Sequence, residues 1–150
     1  NPQAIVLLAG TNNVGNAPPP EGVQARASDV VRGIQAILRE LEARAPAATI
    51  ILMAVFPRND NMAVMPVIDA INGELAGMAG GRVRFLSIND KLADAEGRLF
   101  DGMTVDKLHL SLQGYQAWAD ALRPVLTELL GPPASEDRAP PPTGDPSARR

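Results

Sequence analysis

Two apolar runs decide most of what this chain can become. They span residues 4–9 and 49–56, closed by Gly10 and by Pro57, and a third, shorter strand pattern follows at residues 83–88. Apolar residues with no polar alternation mark strands covered on both faces. Between the first two runs, Val30, Ile34, Ile37, Leu38 and Leu41 recur at three- and four-residue spacing, the pattern of an amphipathic helix, which Pro46 stops. Val67, Ile68, Ile71, Leu75 and Met78 form a second helical face, ended near Gly80-Gly81. A third face runs through Leu112, Tyr115, Trp118, Ala119, Leu122, Val125 and Leu129, with Ser111 placed to cap its start and Pro124 expected to kink it.

Strand, helix, strand, helix, strand, helix is the order of an α/β fold with a parallel sheet and right-handed crossovers. Three strands are few for such a sheet, so at least one edge and one helix-covering face are expected to be bare. The body extends over residues 1–130. From 131 to 150, six prolines among charged residues leave no apolar periodicity, and this stretch reads as a disordered tail.

Composition narrows the function classes. A net charge of −3 and an aromatic content of 3% offer neither a basic field nor stacking platforms for nucleic acid. With no cysteine, disulfides and thiolate metal sites are excluded, and no apolar run is long enough to span a membrane. The chain opens on Asn1-Pro2-Gln3 with no signal peptide. It reads as if cut from something longer, so a targeting signal, and with it a secreted or extracytoplasmic location, stays open.

Ligands of open α/β sheets bind beyond the carboxyl ends of the strands. Two polar segments fall there: Gly10-Thr11-Asn12-Asn13 after the first strand, and the loop carrying Asp106 and His109 before the last helix. A carboxylate three residues before an imidazole in a turn can fold back onto one ring nitrogen and leave the other facing outward. An Asn on a glycine-relieved turn can aim its amide at a developing oxyanion. Of the parts of a serine esterase, only a nucleophile is lacking.

Gly10-Thr11-Asn12-Asn13 resembles the Gly-x-Asn-Asp block of SGNH (GDSL-type) hydrolases, and Asp106-Lys107-Leu108-His109 their Asp-x-x-His block. Gly114, Tyr115 and Trp118 fall in the helix that usually follows. The Asn-Asn form, together with Phe56-Pro57-Arg58, is similar to the branch containing platelet-activating-factor acetylhydrolase catalytic subunits. The resemblance covers about residues 1–130. It implies a three-layer, flavodoxin-like sheet of which this chain is the C-terminal βαβαβα part. It also implies hydrolysis of short acyl or acetyl esters, with Asn12 as oxyanion donor, Asp106 as orienting acid, His109 as general base, and Gly10 and Asn13 as support. No metal or organic cofactor is implied.

The family's Gly-Asp-Ser block and a second Gly block are missing, and Asn13 stands where Asp is more common. None of Ser28, Ser87, Ser111, Ser135 or Ser147 has the context of the nucleophile. The serine is therefore expected on a complementary N-terminal segment or companion chain. Without that piece the first strand becomes an exposed edge, and the isolated chain is expected to be marginal or insoluble.

Plainer readings compete. A lone His beside a carboxylate is more often structural, and Asp106 could cap a turn. Asn12 and Asn13 could be loop residues adopting a left-handed conformation. Tyr115 and Trp118 read as core packing before substrate platform. Arg58 is either a solvated charge or the partner of a carboxylate behind the site. A P-loop would need Lys-Ser/Thr where Asn16-Ala17 stand, which leaves a flavodoxin-like nucleotide binder weakly supported. The serious rival is an SGNH-like scaffold without catalysis, serving as an interaction or carbohydrate-binding module.

Overall fold

A computed structural model describes residues 1–136, so the reading of 131–150 as a disordered tail falls largely outside the described residues. Three parallel strands, β1 (Ala4–Leu7), β2 (Thr49–Met53) and β3 (Val83–Leu86), form one sheet in the order β1-β2-β3. Ile5 pairs with Ile50, and Leu52 with Phe85. The helices are α1 (Val23–Arg44), α2 (Met65–Ala76), the single turn α3 (Asn89–Leu92) and α4 (Leu112–Leu130).

Because the strands follow one another in a single direction, right-handed crossovers carry both connecting helices to the same side of the sheet. Side chains alternate along β2 accordingly. Ile50 and Leu52 join Val30, Ile34 and Leu38 of α1 and Ile68, Ile71 and Leu75 of α2. Ile51 and Met53 face the other way, toward Ile88, Leu92, Leu110 and the apolar side of α4. The expected bare face is therefore covered, since α4 returns across it. That cover is thinner: within α4 only Gly114 is buried, whereas α1 and α2 bury five residues each.

The bare edge does appear. β1 lies at one margin of the sheet, and its Val6 is 39% exposed although its sequence is that of a covered strand. The second apolar run pairs only as far as Met53, short of Phe56. Beyond it a side chain takes over from the sheet: Asn72 of α2 accepts from the Val55 N–H (2.7 Å) and donates to the Val55 carbonyl (2.9 Å). This pairing satisfies a buried backbone that has run past its neighbouring strands. Pro124 does not interrupt α4, which continues to Leu130.

Gly114 fixes how closely α4 approaches the loop before it. A Cβ there would run into the Met103 carbonyl oxygen and lie 3.0 Å from Leu110 Cδ2. Gly114→Ala should therefore destabilise the protein. The overpacking cost of about 1–3 kcal/mol exceeds the roughly 1 kcal/mol of helix propensity that Ala gains over Gly. Thermal unfolding of the variant, read as a lowered Tm, checks this.

Candidate active site

Both polar segments reach the same end of the sheet. β1 leads to Gly10, whose φ of 111° turns the chain into a 3₁₀ turn, Thr11–Val14. Glycine is required here on two counts. The dihedral is one that L side chains rarely adopt, and a Cβ would come within 3.0 Å of Val30 Cγ1. Gly10 and Gly15 take the left-handed positions, and among the described residues Lys107 is the only non-glycine with positive φ. Neither Asn12 nor Asn13 is the left-handed turn former that the plainer reading allowed. Asn12 faces a cleft, while Asn13 is exposed, is not among the residues lining it, and accepts from Arg26 through its carbonyl.

The second segment is built from several interlocking turns. Val105 N–H donates to the His109 carbonyl, and Ser111 N–H to the Met103 carbonyl. The Ser111 hydroxyl accepts from the Gly114 N–H, capping α4, and donates to the Gly102 carbonyl. Ser111 is thus committed to the cap. Inside this frame one oxygen of Asp106 accepts from the backbone N–H of His109 (2.7 Å) and of Leu108 (3.1 Å). The other lies 2.7 Å from His109 Nδ1. These bonds, first that from the His109 backbone and then that from its ring, hold the Asp106 carboxyl below the ordinary carboxylate range. Asp106 thus closes the turn and bonds the imidazole in a single arrangement.

Lys107 supplies the reversal between them, with φ at 69°. An L side chain in that region costs about 1–2 kcal/mol, and a β-branched one more. Lys107→Gly should keep the turn and match the parent in Tm, whereas Lys107→Val should lower Tm and spread the His109 amide resonance over several conformers in NMR spectra.

His109 and Asn12 line one cleft of about 240 Å³, together with Thr11, Leu108 and an apolar wall of Leu8, Phe56, Pro57, Leu110, Tyr115 and Trp118. Trp118 meets Phe56 edge-on (5.3 Å between centroids, 88°), and Tyr115 stacks on Trp118 at 6.1 Å. Trp118 therefore packs against the core and lines the cleft at once, whereas Tyr115, 45% exposed, stands at the cleft wall and corrects the core-packing reading. Among the described residues that line the cleft there is no serine. Nor do three His, Asp or Glu side chains converge as a metal site anywhere in the described residues.

The neighbouring turn at 58–61 was only partly legible in the sequence. Arg58 is 3% exposed and chelates Asp60, so the carboxylate alternative holds over the solvated one. Asn59 N–H donates to the Lys107 carbonyl (2.7 Å), and its side chain donates to the Gly97 carbonyl and accepts from the Leu99 N–H.

Residues 1–117 match the model of the GDSL-like lipase/acylhydrolase family. The chain belongs to that family. Within it the chain falls in the branch of platelet-activating-factor acetylhydrolases. It is 29% identical to the IB subunit alpha1 of that enzyme from Bos taurus over 97% of this chain and 60% of the relative. The Drosophila melanogaster subunit beta homolog is 27% identical over 87% of this chain and 55% of the relative. A solved structure from Streptococcus pneumonia, named for platelet activating factor, superposes with a TM-score of 0.68 at 29% identity, covering 83% of this chain and 59% of the other. The GDSL-like chain thus spans little more than half the length of the relatives it matches. No helix in the described part of this family member is long and apolar enough to cross a membrane.

Proposed function

We propose that this chain supplies the base, the orienting acid and the oxyanion donor of an ester hydrolase acting on small acyl or acetyl esters. The observation that carries the reading is the His109–Asp106 pair at 2.7 Å, opening on a cleft that Asn12 shares. The nucleophile is a serine of a complementary N-terminal segment or companion chain. That piece would also cover the open margin of β1, where Val6 is exposed.

The chemistry follows from the positions. Serine Oγ attacks the acyl carbon as His109 Nε2 takes its proton, Nδ1 being held by Asp106. The carbonyl oxygen becomes an oxyanion facing the Asn12 amide. His109 returns the proton to the departing alcohol, and water repeats the sequence on the acyl-enzyme.

Hydrolysis of p-nitrophenyl acetate by the nucleophile-bearing protein, or by this chain mixed with its complement, tests the proposal. Esterase activity that requires both pieces supports it. A well-folded complex without activity would leave the non-catalytic binding scaffold, which the serine-free cleft lining also fits.

A further inference from the structure

A guanidinium removed from solvent needs a reason, because burying a charge is costly unless it is fully paired. Arg58 comes close to that condition, with hydrogen bonds from four of its five N–H donors. Nε and Nη2 grip the two oxygens of Asp60, Nη2 also donates to Asn16 Oδ1 (3.1 Å), and Nη1 donates to the Thr11 carbonyl (3.2 Å). The last two partners lie on either side of Asn12 in the chain. Asn61 adds a further tie by donating to the Asn16 carbonyl at 2.5 Å.

The anchor is fixed relative to the other half of the site. Asn59, next in sequence, donates its N–H to the Lys107 carbonyl inside the Asp106–His109 turn and ties its side chain to residues 97 and 99. One turn therefore holds the Asn12 loop through Arg58 and the His109 loop through Asn59. Asn12 itself is exposed on a short 3₁₀ turn, and none of the hydrogen bonds described above engages its side chain. Its aim depends on where the backbone of Thr11 is held.

We infer that Arg58 is a positioning residue for the reaction: by holding the Thr11 carbonyl and Asn16 it sets the place of the Asn12 oxyanion donor relative to His109. This rests on the esterase reading above. A donor displaced by about 1 Å can cost on the order of 10² in rate, and complete loss of one about 10²–10³ in kcat.

The test is a double-mutant cycle in the nucleophile-bearing protein, with p-nitrophenyl acetate as substrate. His109→Ala is measured first. If it leaves activity unchanged, the esterase reading fails and the cycle has no reaction to report on. With that control passed, Arg58→Met should lower kcat about tenfold or more with KM little changed. In an Asn12→Ala background the same substitution should cost under about twofold, because the donor it positions is gone. Arg58→Lys, which keeps the charge but loses the fork, should fall between the two. Equal losses in both backgrounds, or a change confined to KM, would overturn the inference. If Arg58→Met does not fold, Asn16→Ala replaces it, since Asn16 is exposed. A smaller kcat loss that vanishes beside Asn12→Ala supports the role, and no loss or an equal loss in both backgrounds overturns it.

Discussion

His109→Ala in the nucleophile-bearing protein should reduce kcat for p-nitrophenyl acetate by about three orders of magnitude or more, with the fold intact. The magnitude is that of losing a triad base, which leaves only binding and the oxyanion hole to act. The fold should survive because the imidazole is 72% exposed and packs into neither core. The turn keeps the two backbone bonds that Asp106 accepts from residues 108 and 109. Tm and the circular dichroism spectrum should therefore match the parent while turnover collapses. A variant that keeps most of its activity would show the Asp-x-x-His turn to be inherited architecture and nothing more.

That turn was legible in the sequence because the bonds that fold it are local, the tie from Asn59 to the Lys107 carbonyl apart. Asp106 reaches residues two and three positions onward, and Ser111 caps a helix beginning at the next residue. Gly10 was legible for a related reason: a strand that must turn sharply needs a residue free of Cβ. The alternation of apolar runs and helical stripes likewise gave the layers and the parallel sheet. What stayed hidden depends on distance along the chain. Arg58 finds Thr11 and Asn16 across 47 and 42 positions, and Asn72 reaches back 17 to finish the end of β2. No local pattern announces such partners, so the sequence left Arg58 open between a solvated charge and the partner of a carboxylate. Tyr115 was misread for a different reason. A helical stripe tells which side of α4 is apolar, but not that its first turns overlie a cleft while the rest covers the sheet.

Asp106→Asn should be nearly as severe as loss of the imidazole, on the order of 10³–10⁴ in kcat, and for a reason visible in the hydrogen bonds. The native carboxylate accepts everything offered to it: two backbone N–H groups at one oxygen and His109 Nδ1–H at the other. The amide can preserve the first half, since its carbonyl oxygen still accepts from Leu108 and His109. Its NH₂ then occupies the place of the second oxygen and donates toward Nδ1. Imidazole answers by becoming an acceptor at Nδ1, which puts its proton on Nε2. The nitrogen that must take the serine proton is then already protonated, and the base is present but in the wrong tautomer. Asp106→Ala removes the turn and the orientation together, so the comparison separates the two. If tautomer control matters most, the Asn variant should retain parental stability and lose activity, with ring ¹⁵N shifts of His109 moving to the Nε2–H pattern. If Asp106 serves the turn alone, the Asn variant should stay active and only the Ala variant should fail.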